Sequence, residues 1–126
     1  MNVLTQPPGM GDILKYEVNP NFTREIVTLL AGTPYPVGSV LGKITASGKY
    51  KLATATGTDG AQIASAVLLT AVDATGADAT GVILARGPAI VSQSALVFDA
   101  TVTAGALTTT KLGELVAVDI VPRTAA

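Results

Sequence analysis

Glycine and proline recur so closely through the middle of this chain that no long uninterrupted element fits there. Gly32, Pro34, Pro36, Gly38, Gly42, Gly48, Gly57, Gly60, Gly76, Gly81, Gly87 and Pro88 cut it into short runs. Proline removes a backbone donor, and glycine gives the chain freedom to turn. The runs at residues 23–30, 39–45, 50–55, 80–86 and 89–91, two of them holding a single inner glycine, are rich in Val, Ile, Leu, Thr and Tyr. Short runs of such residues bounded by turn signals read as strands. A tight connection at Ala46-Ser47-Gly48-Lys49 makes a hairpin of the second and third. The pattern predicts a mainly β chain: a small clip-like or barrel-like β domain with minor helix, not alternating βαβ units.

Three stretches are less plain. Residues 61–72 carry Ala, Gln and Leu, which suit a helix, but also a bounded Val/Leu run that suits a buried strand. The expectation is a strand from about Ala64. Residues 92–98 fit a short strand or a helical turn. Residues 108–115 are the best place for a short helix, with a Thr as cap and Leu112 and Leu115 on one face. A last strand is expected over 116–121, ended by Pro122.

Residues 1–21 read as an extended N-terminal arm, and 22–126 as the β-rich body. Pro7-Pro8-Gly9-Met10-Gly11 and Asn19-Pro20-Asn21 break regular structure on either side of a strand-like patch, Asp12-Ile13-Leu14-Lys15-Tyr16-Glu17-Val18. One reading is a frayed terminus. The other is a segment that becomes ordered on the sheet edge of another chain. In that reading Ile13, Leu14, Lys15, Tyr16 and Glu17 are the contact residues. The N-terminus lacks the basic and apolar regions of a signal peptide, and the longest apolar stretch is too short to span a bilayer. The expectation is a soluble protein without a membrane partner.

The chain contains no histidine and no cysteine. The commonest metal ligands and general bases are therefore missing, and so is thiol chemistry. Asp73 and Asp78 flank a Gly-containing loop, where capping of turn N–H groups explains them better than a cation site. Gly57-Thr58-Asp59-Gly60 lacks the Lys and Ser/Thr of a phosphate loop and reads as a turn with one glycine at positive φ. The 8 basic and 9 acidic residues give a net charge of −1 with no basic stripe, so nucleic acid is not an expected partner. The chain is read as a non-enzyme without metal or cofactor. Charged residues make up only 13%, against roughly 25% in ordinary domains. So little charge points to a surface partly covered by other chains, and hence to an oligomer. A compact Ala/Thr-rich domain is the plainer alternative.

Between Phe22 and Phe98 the ordered segments Gly38-Ser39-Val40-Leu41-Gly42-Lys43-Ile44, Gly48-Lys49-Tyr50-Lys51-Leu52 and Thr58-Asp59-Gly60-Ala61-Gln62-Ile63-Ala64 are similar to a known family. Ala66-Val67-Leu68-Leu69, Ala71-Val72-Asp73-Ala74 and Arg86-Gly87-Pro88-Ala89 extend the likeness. Together they resemble the head decoration proteins of lambda-like tailed bacteriophages. The resemblance implies a structural virion protein on the outer surface of the capsid, made in the host bacterial cytoplasm. It implies a homotrimer that binds the major capsid protein of the expanded head at local three-fold sites, stabilises it, and contacts it through an N-terminal arm. The alternative from another class is a small β-barrel ligand-binding or adhesin module, which needs a pocket or recognition loop with aromatic and polar groups.

Overall fold

The computed structural model describes residues 13–103 and 105–124. The fold is mainly β, as expected, and its centre is a closed five-stranded barrel. Its strands are β2 (Arg24–Leu29), β4 (Val40–Lys43), β5 (Tyr50–Leu52), β6 (Ala66–Leu68) and β8 (Ala79–Leu84), in the order β2-β5-β4-β6-β8. β2 and β8 run antiparallel in unbroken register from Arg24↔Leu84 to Leu29↔Ala79. β4 and β5 form the expected hairpin, Leu41 facing Leu52 and Lys43 facing Tyr50. A parallel contact between Leu29 and Tyr50 closes the ring.

Outside the barrel lies a three-stranded sheet in the order β1-β9-β10: β1 (Leu14–Glu17), β9 (Ala89–Ser92) and β10 (Ile120–Arg123). A short helix, α1 (Pro20–Thr23), links β1 to β2. A two-stranded piece, β3 (Pro34–Tyr35) with β7 (Val72–Asp73), packs Tyr35 into the barrel interior. The main helix, α2 (Gly105–Val116), precedes β10.

Two apolar cores result. Leu29, Tyr35, Leu41, Ala66, Leu68 and Ile83 fill the barrel. The second core lies between the barrel wall and the outer layer, where Val40, Val67 and Leu84 meet Ile13, Val91, Ile120 and Leu115. β6 divides the two. Ala66 and Leu68 point into the barrel, while Val67 points into the second core, and all three are buried. A strand covered on both faces loses the polar/apolar alternation that marks a half-buried one. That is why the sequence around it was ambiguous.

The structure departs from the sequence reading in three places. The strand expected from Ala64 is split into β6 and β7, which join different sheets. Residues 92–98, by contrast, take the helical turn of the two readings, a 3-10 turn over Gln93–Ala95 followed by an isolated bridge from Val97 to Ser39. The helix begins earlier than expected, so Thr109 and Thr110 are interior. Their hydroxyls donate to the carbonyls of Gly105 and Ala106, at 2.9 and 3.0 Å, instead of capping the end. The last strand starts at Ile120 because residues 117–119 close the helix, and Asp119 reverses the chain at φ 64. Asp tolerates that left-handed conformation better than most residues. Pro122 does not end β10 but lies within it. Asp119 O faces β9, accepting from Ala89 N at 3.1 Å. By alternation Pro122 presents its missing N–H to the outer edge, where no ladder bond is lost.

Candidate binding surface

Residues 1–12 of the expected arm lie outside the described residues. Residues 13–17 do not stand apart from the body. β1 pairs antiparallel with β9, Leu14 opposite Val91 and Tyr16 opposite Ile90. A bulge between Leu14 and Tyr16 lets both Ile13 and Leu14 turn toward the second core. Ile13 is fully buried and Leu14 half-buried, whereas Lys15 and Tyr16 are exposed. The boundary expected between residues 21 and 22 falls inside α1.

Glu17 ties β1 to the start of the barrel. Its carboxylate accepts hydrogen bonds from the buried Thr23 hydroxyl at 2.6 Å and from Arg24 Nε at 3.2 Å, and it pairs with Arg24 Nη2. The Arg24 bond holds the carboxyl below its ordinary pKa. Burial opposes that shift, and the Thr23 bond and the Arg24 charge reinforce it. Glu17 is therefore ionised at neutral pH and engaged within its own chain.

Register builds an exposed apolar row across the outer sheet. Tyr16 and Val121 both stand opposite Ile90, one on each side. Residues directly opposite share a face. Tyr16 is 52% exposed and Val121 36%, while the flanking residues Ala89, Val91 and Ile120 are buried on the other face. Val18, Phe22 and Ile26 are further exposed apolar side chains just beyond β1. The Arg86 guanidinium sits 5.4 Å from the centre of the Phe22 ring and pairs with Glu25 at 3.0 Å. Sequence reasoning singled out Tyr16 but missed the rest of this face. Ile90 and Val121 meet it only through non-local register, which no local pattern carries. Ile26 did have a signal: it alternates with Val27 and Leu29, whose side chains turn inward.

The polar loops are spent on local order. Asp73 Oδ1 accepts from Thr75 N at 3.0 Å and from its hydroxyl at 2.5 Å, the turn capping expected of it. Asp78 instead reaches across to Ala31 N at 2.7 Å and Lys49 Nζ at 2.5 Å. In the Gly57-Thr58-Asp59-Gly60 turn both glycines take positive φ, not one. Asp59 binds Ala61 N at 3.0 Å and Lys51 at 2.8 Å, and Gly60 N donates to Gln62 Oε1 at 2.8 Å. A Cβ at Gly60 would stand 2.3 Å from Thr45 Oγ1. Beyond this turn the Gln62 carbonyl accepts from Lys111 Nζ, and Glu114 Oε1 accepts from Lys111 at 3.1 Å and Ala64 N at 2.9 Å. Lys111 is 2% exposed, a rare position for a lysine and one that requires such partners. The segment 58–64 thus links the barrel hairpin to α2.

Among the described residues, no cluster of three His, Cys, Asp or Glu side chains is placed to hold a metal. The barrel interior is filled by the side chains of its own apolar core, as in small barrels. What the surface offers is an apolar sheet face beside the segment that leads to residues 1–12. Among curated proteins, none matches the chain. A family model described as bacteriophage lambda head decoration protein D matches residues 3–120. Its reach extends past the segments between Phe22 and Phe98 in which the resemblance was visible, through α2 to the first residue of β10.

Proposed function

The chain belongs to the bacteriophage lambda head decoration protein D family, and we infer from this that it is a structural protein of the phage head and not an enzyme. The match over residues 3–120 carries the inference. We propose that the protein binds the outer surface of the expanded capsid as a homotrimer at local three-fold sites, contacting the major capsid protein and stabilising the lattice. Contact falls on residues 1–12 and on the sheet face they lead to, through Lys15, Tyr16, Ile90 and Val121. Ile13, Leu14 and Glu17, the other three residues of the expected contact, act indirectly by fixing β1 in place. The exposed apolar row supports this reading, since such faces on soluble proteins mark contact sites.

Ordering a peptide segment costs about 1–2 kcal/mol per residue, so a single arm binds weakly. Three arms on one trimer raise the effective concentration and add roughly 10²–10⁴-fold in avidity where geometry allows. A protein that binds the assembled lattice and not free subunits stabilises that lattice by mass action. The test is co-sedimentation with expanded and unexpanded heads, followed by imaging of the particles. Density at the local three-fold sites of expanded heads is the expected result. A monomer that stays in the supernatant with both kinds of head would overturn the proposal.

A further inference from the structure

One end of the barrel, where β2 begins and β8 ends, opens into a bowl of about 510 Å³ lined by Glu25, Lys43, Tyr50, Ile63, Ser65 and Arg86 among others. Barrel mouths of this volume with a few converging polar groups are common ligand sites. Lys43, which is exposed, and the Ser65 hydroxyl have no side-chain partner among the described residues. Lys43 makes no ion pair among the described residues, although Lys49 and Lys51 on the same hairpin hold Asp78 at 2.5 Å and Asp59 at 2.8 Å. The Ser65 hydroxyl is the one buried side-chain polar atom without a hydrogen-bond partner among the described residues. A buried polar group left unpaired calls for an explanation. Ser65 lines the bowl.

The other groups narrow the ligand. Lys43 stands directly opposite Tyr50, so their side chains share a face. Burial and the Glu25 charge raise the Tyr50 phenol, with Arg86 opposing, so it is a protonated donor at neutral pH. Arg86 is already paired with Glu25 at 3.0 Å, which leaves Lys43 as the one uncompensated charge among these lining residues. A single positive charge matches a monoanion better than a dianionic phosphate. At the rim, Ile63 is 54% exposed and offers an apolar wall.

We propose that the barrel mouth binds a monocarboxylate that carries a short apolar body. Lys43 supplies the charge, the Ser65 and Tyr50 hydroxyls donate to the carboxylate oxygens, and Ile63 covers the adjoining carbons. The same chemistry is offered by a free carboxylic acid and by an acidic side chain of a protein partner.

The experiment is an NMR titration of the full chain with sodium butyrate, with butanol and inorganic phosphate in parallel. Saturable shifts centred on Lys43, Tyr50 and Ser65 are expected with butyrate and not with butanol. Affinity should fall about tenfold in Lys43→Gln, the effect of losing one charge-assisted bond. Ser65→Ala should also weaken binding, and Lys49→Gln should leave it unchanged. Shifts that stay linear in butyrate, that butanol or phosphate reproduces, or that saturate with the parent's affinity in Lys43→Gln would overturn the proposal. With butyrate binding in hand, decoration of expanded heads by Lys43→Gln separates the sources. Lost decoration assigns the site to an acidic side chain of the head, and retained decoration assigns it to a free acid. The titration needs no heads, so its failure is distinct from failure of the decoration reading.

Discussion

Gly87 lies backbone to backbone against Asp119: a Cβ on Gly87 would stand 1.8 Å from the Asp119 carbonyl oxygen. The contact is held by Gly87 N donating to Val118 O at 2.9 Å, and it seats the turn after α2 on the start of β9. Gly87→Ala forces that turn off the sheet and should cost about 3 kcal/mol, at the upper end of overpacking effects. Gly113→Ala should do the opposite. Its Cβ meets nothing within 4 Å, and replacing a helical glycine stabilises by about 0.5–1 kcal/mol. Urea denaturation of the two variants checks both signs.

Glu17 should make stability depend on pH. Its folded-state pKa lies below the reference value of 4.5, so its contribution is complete above about pH 4.5. It is lost as pH falls through the lowered folded value. Glu17→Gln should be less stable than the parent by about 2 kcal/mol at pH 7, the usual worth of bonds to a charged group. The gap should close in acid. Denaturation midpoints of the two proteins between pH 7 and pH 3 measure it. A gap that is constant with pH would mean that the ion pair contributes nothing.

Lys111 tests whether a buried ammonium or its hydrocarbon stem holds α2 in place. Lys111→Met keeps the stem but leaves the Gln62 carbonyl without its donor, and should cost about 2 kcal/mol. Lys111→Ala also opens a cavity and should cost about 4 kcal/mol. Thermal unfolding distinguishes the two. A Met variant as stable as the parent would show desolvation of the ammonium cancelling its bonds, as happens in some buried pairs.

Removal of residues 1–12 should leave a folded body, since β1 and Ile13 stay in place. It should abolish decoration of expanded heads in a pelleting assay. Removal through residue 18 takes Ile13 from the second core and should destabilise the body itself by several kcal/mol. Tyr16→Lys, on the exposed row, should weaken head binding with little change in stability. If the 1–12 deletion saturates heads at the parent's affinity, the arm plays no part in contact.

The barrel was legible in the sequence wherever a strand had one wet face or a sharp turn beside it. The 50–55 run and its Gly48 turn are of that kind, and they emerged as a hairpin. β6 was not legible, because burial on both faces erased its alternation. The placement of residues 13–17 was half legible. Their strand character was plain, but their partner, β9, lies more than seventy residues away in the chain. The apolar row is a product of that pairing and of β10, so no window of sequence contains it. Lys111 was unremarkable as a residue on a short helix, and only the fold shows it as the centre of the helix's buried side.

Because β6 is a wall common to both cores, the outer sheet and the barrel cannot yield separately. A load applied at Tyr16 or Val121 passes through the second core to Val67, and across the same backbone to Leu68 inside the barrel. The shared strand is a continuous path for force between the outer sheet and the barrel.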